Sequence, residues 1–179
     1  MDLDWLVELF TPAAGMASIP DSADASTLLG LDLYTALHTP IQAWITSDFG
    51  AWIDNTFINP LPQLLFGQDL IGNGVAGTVD NPNGGAGGLL FGDGGAGYDQ
   101  NLDGYIGGNG GAAGMFGDGG AGGDGGTGAA GGIGGAGGWF MGNGGVGGDG
   151  GAAGYGDIGG AGGAGGNAGA WYFGNGGAG

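Results

Sequence analysis

Apolar residues recur at helical spacing in the first third of the chain. One stripe has steps of three, one, four, three and one residue, and consists of Ile41, Trp44, Ile45, Phe49, Trp52 and Ile53. This spacing predicts a helix, with Thr39 as its N-cap and Pro40 at its first helical position. Asn59-Pro60 is expected to end it. Leucines within residues 28–37 predict an earlier helix capped at residues 24–26, and residues 4–10 form a short apolar-rich candidate.

The pattern changes beyond residue 82, because glycine takes over. The chain has 55 Gly in 179 residues, and 48 of them lie in residues 83–179. Within this array the short period is three, as in Gly-Gly-Ala or Gly-Gly-Asp. Three residues per turn is the period of a left-handed polyproline-II-type helix, which has no internal hydrogen bonds. Backbone groups must then pair between neighbouring segments.

A longer register of 25 residues overlies the triplets. Apolar clusters followed by glycine mark it: Leu64-Leu65-Phe66-Gly67, Leu89-Leu90-Phe91-Gly92, Met115-Phe116-Gly117, Phe140-Met141-Gly142 and, after seven inserted residues, Tyr172-Phe173-Gly174. Acidic positions keep the same register, with Asp93 and Asp118 in one column and Asp99, Asp124 and Asp149 in another. Because 25 is one more than a multiple of three, each unit must break the triplet phase, and we expect a turn at the break. The apolar clusters are expected at the unit ends.

These periods predict the fold class and its limits. We expect a glycine-rich repeat array, a bundle of polyglycine-II/polyproline-II-type helices with little regular α or β structure, preceded by a short α-helical region. The predicted divisions are residues 1–63 as an apolar, partly α-helical segment, 64–88 as a degenerate first repeat, and 89–179 as the array of about 25-residue repeats. A flexible glycine-rich linker is the alternative, but a linker needs no register.

Two other glycine-rich folds fit poorly. A collagen helix needs Gly at every third residue and abundant Pro, whereas only Pro82 borders the array and Gly-Gly pairs break the pattern. A calcium β-roll needs a large apolar residue at a fixed place in each nonad, and Asn101, Gly126 and Gly151 occupy that place. Neither fold is expected.

The charge excludes several functional classes. The chain has 17 acidic residues, no Lys, no Arg and no Cys, so its formal net charge is −17 and His38 is the only possible side-chain cation. A nucleic-acid binder or a polybasic membrane anchor needs Lys or Arg. Cysteine chemistry is impossible, no run of 18 apolar residues predicts a spanning helix, and the segment from Met1 to Asp4 lacks the basic region of a signal peptide.

Candidate chemistry is sparse. No catalytic constellation is visible, so we expect no enzyme and no cofactor, and His38 is interpreted as structural. Stacked units could bring carboxylates together to bind Ca²⁺ weakly, the candidates being Asp93, Asp99, Asp118, Asp124 and Asp149. Solvated surface charge is the alternative interpretation of these columns. Ice binding by a flat bundle is a third hypothesis, but it has little support because Thr127 is the only Thr in the array.

The apolar stripe of the first region has two interpretations. It could pack against the array or another part of the fold. It could also contact a protein or an envelope lipid, with Trp44, Ile45, Phe49, Trp52 and Ile53 as the contact residues. So acidic a chain would be repelled by an anionic membrane, but a neutral apolar layer remains compatible with it.

One family resemblance rests on the junction and the array. Leu70-Ile71-Gly72-Asn73-Gly74 precedes repeated Gly-Gly-Ala-Gly-Gly and Gly-Asn-Gly-Gly-Ala-Gly units, and residues 38–45 and 55–59 look like a linker before such an array. Over roughly residues 28–179 the chain resembles the mycobacterial PE-PGRS proteins and their PPE-linked relatives. The resemblance implies a secreted or cell-surface protein, packed polyglycine-II helices, and interaction with the host or the cell envelope. The export signal Tyr-x-x-x-Asp/Glu of the family is not found here, since His38 follows Tyr34 by four residues.

Overall fold

The structure, a computed structural model, describes residues 25–154, 158–169 and 173–179, with side chains in the first helix from residue 33 onward. Helix α1 spans Ala25–Ile45, α2 spans Asp48–Ile53, a π-helical turn spans Asp54–Ile58, and α3 spans Pro60–Phe66. After α3 the described residues contain four isolated parallel bridges and no continuous β-strand. The array thus has little regular secondary structure, as expected. The candidate at residues 4–10, the cap at residue 24 and Tyr172 lie outside the described residues.

Helix α1 runs through the point where the sequence predicts a boundary. Pro40 lies inside α1, so the prediction that a helix begins at Thr39-Pro40 is wrong. A Pro inside a helix removes one backbone hydrogen bond and costs about 3 kcal/mol. Side chains on both sides of Pro40 make hydrogen bonds to residues beyond α3, His38 to Asp93 and Gln42 to Asn73, and this docking offsets the cost.

The predicted single stripe is divided between two helices. Helix α1 ends at Ile45, and Ser47 caps α2 by accepting a hydrogen bond from the Gly50 amide at 2.9 Å. Gly50 is required here because a Cβ at this position would collide with the carbonyl oxygen of Trp44. Pro60 begins α3 rather than stopping a helix, as its fixed φ suits the first helical turn.

Gly67 ends α3, and a short connection leads into the array. With φ of 69°, Gly67 adopts the left-handed conformation that commonly closes a helix. The apolar cluster 64–66, which the sequence aligns with Leu89-Leu90-Phe91, therefore lies within α3 and at its end. Ile71 pairs with Phe91 instead, so the first rung of the array is 20 residues before the second.

Parallel bridges fix the register of the following units. Phe91 pairs with Phe116, Phe116 with Met141, and Met141 with Phe173. The successive separations of 25, 25 and 32 residues are those of the apolar clusters in the sequence, so that part of the predicted register is confirmed. Residues 155–157, within the longer last unit, lie outside the described residues.

Each unit contributes two glycine-rich segments, which form what we call the ladder. Forward segments near residues 92–100, 117–126 and 142–151 donate backbone hydrogen bonds to the next forward segment, as in Gly94 to Asp118, at 2.8 Å. Return segments near 105–114, 129–138 and 159–169 do the same among themselves, as in Gly110 to Ile133. Forward and return segments also bind each other in antiparallel fashion, as in Gly120 to Gly111.

The period of three follows from these bonds, because each position of a triplet has a different neighbour. In the triplet 119–121, Gly119 donates to Asn143 of the next forward segment and Gly120 donates across to Gly111. Ala121 occupies the third position, which carries the side chains. A Cβ on Gly120 would collide with the carbonyl oxygen of Gly95. The two inner positions therefore need glycine, while the outer position accepts Ala, Val, Ile, Asn or Asp.

The first edge of the ladder is closed by a side chain. Asn59 is only 4% exposed; its Oδ1 accepts hydrogen bonds from the amides of Leu70 and Ile71 at 3.1 Å, and its Nδ2 donates to the Ile71 carbonyl at 2.8 Å. These are the backbone groups of the first rung. Asn59 thus acts in place of a preceding unit.

Candidate functional site

A column of Asn and Asp side chains runs along the ladder and joins its units. This Asx column consists of Asn73, Asp93, Asp118, Asn143 and Asn175. Each side-chain Oδ1 accepts a hydrogen bond from the backbone amide of the next member, at distances of 2.7–3.0 Å. The column is therefore a continuous chain of hydrogen bonds, and its negative members are fixed in place.

Helix α1 lies across this column and binds three of its members. Gln42 exchanges two hydrogen bonds with Asn73, His38 Nε2 lies 2.8 Å from Asp93 Oδ1, and the Tyr34 hydroxyl donates to Asp118 Oδ1 at 2.7 Å. Residues four apart share one face of a helix. Three residues on one face of α1 thus bind three successive units of the ladder. The helix runs opposite to the order of the units, so its earlier residues bind the later units.

His38 and Asp93 form an ion pair when the imidazole is protonated. The hydrogen bond to Asp93 raises the pKa of His38 above its ordinary 6.5, and the charges of Asp93 and Asp118 act in the same direction, whereas partial burial opposes them. The sequence alone favours a structural role for His38. Its geometry makes it the charged contact between helix and ladder.

Tyr34 is the buried member of this face. Burial raises the pKa of its phenol far above the ordinary value of 10, and the hydrogen bond to Asp118 and the charges of Asp118 and Asp93 raise it further. The Tyr34 and His38 rings stack with centroids 5.0 Å apart. Tyr34 therefore remains a hydrogen-bond donor throughout the ordinary pH range.

An apolar layer lies between α1 and the ladder. Leu37 and Ile41 of the helix meet Phe91, Phe116 and Met141 of the ladder around a cavity of about 10 Å³. Phe91 and Phe116 stack with centroids 5.1 Å apart, and Met141 is only 2% exposed. So small a space accommodates at most a water molecule, so this is a packed contact rather than a ligand pocket.

A second surface, turned to solvent, consists of aromatic side chains. Trp44 contacts Phe49 edge to face, Phe49 stacks on Trp52, and Trp52 contacts Phe57 edge to face, with centroid distances of 5.6–6.3 Å. All four rings are exposed. The Trp44 indole donates to the buried Asp54 carboxylate at 3.2 Å, which fixes one end of this aromatic row.

The residues predicted to contact a partner are separated by the fold. Trp44, Phe49 and Trp52 lie on the aromatic row, whereas Ile45 is buried at 9% exposure and Ile53 is half-buried. The difference arises because the chain turns at Thr46-Ser47, so the stripe does not keep one helical phase.

Helix α3 extends the apolar surface. None of its residues is buried, and Leu64 is 81% exposed. The other exposed apolar side chains of this helix are Leu61, Leu65 and Phe66. Contiguous exposed apolar residues mark contact surfaces in soluble proteins. Within the described residues, no helix has the length and apolarity needed to cross a membrane.

The predicted Ca²⁺ candidates fall into two columns. Asp93 and Asp118 belong to the Asx column under α1, whereas Asp99, Asp124 and Asp149 form a separate, exposed column. In the exposed column Asp99 accepts from the Asp124 amide and Asp124 from the Asp149 amide. In the part of the chain that the structure describes, no group of three or more His, Cys, Asp or Glu side chains is arranged to hold a metal ion.

Several residues of these sites escape sequence reasoning. Tyr34 and Gln42 carry a weak signal, since with His38 they repeat at a spacing of four within an apolar segment. Asn73 carries a signal too, because it opens the series continued by Asp93 and Asp118. Asn59 carries none, because its role depends on the chain folding back to meet Leu70 and Ile71.

Comparison with known proteins gives consistent relatives. The family model described as PGRS repeats matches residues 71–140. PE-PGRS family protein PE_PGRS11 of Mycobacterium tuberculosis (strain ATCC 25618 / H37Rv) is 47% identical over 90 residues, which cover 49% of this chain and 15% of that protein. The uncharacterized PE-PGRS family protein PE_PGRS20 of the same strain is 52% identical over 79 residues, covering 38% of this chain and 17% of that protein.

A third relative has a different kind of name. PE cleavage protein A of Mycobacterium marinum (strain ATCC BAA-535 / M) is 49% identical over 113 residues, covering 57% of this chain and 17% of that protein. The chain thus matches only about a sixth of the length of these relatives. No solved structure matches the chain. The match of residues 71–140 to PGRS repeats, and relatives that are about half identical over the aligned residues, support membership of this chain in the mycobacterial PE-PGRS family.

Proposed function

We propose that this chain is a non-enzymatic structural and interaction module of a secreted or cell-surface glycine-rich protein. In this proposal the ladder is a bundle of polyglycine-II-type helices that serves as a rigid support. The helical region presents an apolar surface to the cell envelope or to a host protein. The observation that carries the proposal is the exposed aromatic row followed by α3, a helix with no buried residue.

The support role follows from how the ladder is held. Within each segment the bonding pattern repeats every three residues, and the backbone groups pair with neighbouring segments in two directions. A helix without internal hydrogen bonds requires such pairing between segments. The alternative of a flexible linker is disfavoured by the same bonds, which join each segment to its neighbours in register. A support of this kind keeps the helical region at a fixed place on its first edge.

The contact role follows from the chemistry of the exposed surface. Exposed Trp and Phe side chains suit the boundary between water and an apolar layer. The formal charge of −17 and the lack of Lys and Arg disfavour an anionic surface. We therefore expect contact with an uncharged lipid layer, and the competing partner is a protein with an apolar groove.

Vesicle binding tests the envelope contact. The chain is incubated with phosphatidylcholine vesicles and, separately, with vesicles containing one-third phosphatidylserine, and bound protein is measured by flotation. We expect binding to the neutral vesicles and weaker binding to the anionic ones at low salt. The double variant Phe49→Ser/Leu64→Ser should lose most of the binding. Ile106→Ser, which changes an apolar residue of the ladder that is as exposed as Phe49, is the control and should bind like the unchanged chain.

Two results would count against this contact. Equal loss in the control variant would mean that general hydrophobicity rather than this surface causes the binding. If the unchanged chain does not float with neutral vesicles, a lipid layer is excluded as the partner. A protein partner would then be sought with the same two variants.

A Ca²⁺-responsive module is the second candidate. The exposed column of Asp99, Asp124 and Asp149 places carboxylates in consecutive units, and neighbouring units are joined through them. Hard cations such as Ca²⁺ prefer oxygen ligands of this kind. Isothermal titration with CaCl₂ tests it, with Asp124→Asn as the variant: a heat that the variant reduces supports the idea, whereas the absence of any heat in the unchanged chain rejects it.

A further inference from the structure

Among the described contacts between α1 and the ladder, one can change its charge near neutral pH. Tyr34, His38 and Gln42 form the clasp, the polar face by which α1 binds Asp118, Asp93 and Asn73. The amide of Gln42 does not titrate, and Tyr34 stays protonated because burial and Asp118 raise its pKa. His38 alone changes between a cation and a neutral ring over the pH range near its ordinary value.

The surroundings make that change matter. His38 faces Asp93 and Asp118 on the ladder and the Tyr34 ring on its own helix. Elsewhere the chain offers no positive side chain, since it has no Lys or Arg. When protonated, His38 neutralises part of the acidic column; when neutral, it leaves the column with a weaker hydrogen bond between an uncharged ring and a carboxylate.

What lies under the clasp is apolar. Leu37 and Ile41 cover Phe91, Phe116 and Met141 of the ladder, and Met141 is one of the few buried apolar side chains among the described residues. Lifting α1 would bring this strip to solvent without disturbing the backbone bonds between units.

We propose that α1 is a reversible clasp, closed on the Asx column while His38 is protonated and loosened when His38 is neutral, so that alkaline conditions uncover the apolar strip of Phe91, Phe116 and Met141. The direction follows from linkage. His38 binds its proton more tightly when α1 is docked than when α1 is released, because its pKa is raised in the docked state. The proton therefore stabilises docking fully below the ordinary pKa of 6.5, and this stabilisation is lost as pH rises through the higher pKa of the docked state.

The first test reads His38 directly. His38 is the only His in the chain, so its ring resonances titrate without overlap in NMR spectra of the complete chain. The midpoint should lie above 6.5 and should return toward 6.5 in Asp93→Asn, whose side chain keeps its shape but carries no charge. A midpoint near 6.5 in both proteins would overturn the proposal.

The second test reads the clasp itself. Because the chain has no cysteine, Met141→Cys places a single thiol under α1, and Ala112→Cys, made separately, places one at an exposed position. The rate of reaction with 4,4′-dithiodipyridine in Met141→Cys, divided by the rate in Ala112→Cys, reports the opening of the clasp. Between pH 6 and pH 9 this ratio should rise several-fold, because loss of the proton from His38 weakens the docking of α1.

The same ratio, measured with His38→Gln added to each cysteine variant, distinguishes opening of the clasp from the pH dependence of the thiols themselves. Gln keeps a hydrogen-bond donor but has no titrating group, so the ratio should be nearly independent of pH. If Met141→Cys fails to fold, the NMR titration still decides on the unchanged chain. An equal rise with pH in both backgrounds, or a flat ratio with His38 present, would refute a clasp controlled by His38.

Discussion

The helical region and the ladder differ in how densely they carry large apolar side chains, and both leave many of them exposed. In the helical region, residues 25–66, large apolar side chains such as Phe49, Phe57 and Leu64 project into solvent. In the ladder the interior is mostly glycine backbone, and the described residues include only two buried apolar side chains there, Ala129 and Met141. The helical region likewise has only two buried apolar side chains among the described residues, Tyr34 and Ile45, although large apolar residues are far denser there.

The difference indicates what holds each region. Burial of apolar surface is the usual main source of stability, but the ladder has little of it to use. Its segments instead satisfy one another through backbone hydrogen bonds in two directions, and close approach of glycine backbones adds weak Cα–H···O contacts. The helical region depends on the ladder, because α1 docks on it and Asn59 binds its first rung.

Deletions within the ladder should have the largest effect on structure of the changes considered. Removing residues 117–141, one whole unit, joins Phe116 to Gly142 and leaves every remaining segment with a partner of the same register, so we expect a cooperative melt. Removing residues 117–128 deletes a forward segment but keeps its return segment, which loses a forward partner while the row of forward segments is interrupted, and we expect the ladder to unfold. Circular dichroism melts of the two deletions compare them. Equal loss of structure in both would mean that the units are not modular.

A pair of adjacent glycines gives the next largest effect. A Cβ on Gly163 would collide with the Gly132 carbonyl oxygen, whereas a Cβ on Gly162 meets its nearest atom only at 3.8 Å. Gly163→Ala should destabilise the ladder by about 3 kcal/mol through forced backbone displacement. Gly162→Ala should be neutral or stabilise it by about 0.5 kcal/mol, because Ala restricts the unfolded chain. Urea unfolding measures both, and similar losses would contradict the assignment of inner and outer positions.

Loss of the edge cap should have a smaller effect. Asn59→Ala leaves the amides of Leu70 and Ile71 and the Ile71 carbonyl without their partner, which should cost about 2 kcal/mol. Asn83→Ala is the control, since Asn83 is exposed and its Oδ1 accepts a single backbone bond from Asn109, and its cost should stay below about 1 kcal/mol. If the two variants melt alike, Asn59 does not close the ladder.

The regular part of this architecture is readable from the sequence. Phe91, Phe116 and Met141 keep a fixed separation, and that separation is the register of the bridges. The period of three is readable as well, since it follows from one side-chain-bearing position in each triplet. Both succeed because a repeated environment imposes a repeated residue choice.

The irregular part is not readable in the same way. Local rules place a helix start at Thr39-Pro40, but docking of His38 and Gln42 on either side keeps Pro40 inside α1. The roles of Asn59 and Tyr34 depend on partners 12 and 84 residues away. No local pattern encodes such distances, so these residues become visible only in the folded chain.

Amide hydrogen exchange, resolved by residue with NMR, tests the central claim that backbone pairing with a period of three holds the ladder. Gly119 and Gly120 donate to Asn143 and Gly111, and the Asp124 amide donates to Asp99. Among the described residues, the Ala121 amide has no acceptor. We predict slow exchange at Gly119 and Gly120, partial protection at Asp124 and fast exchange at Ala121, repeated in the equivalent positions of the neighbouring units. Uniformly fast exchange across residues 92–151 would contradict the account and favour a flexible linker.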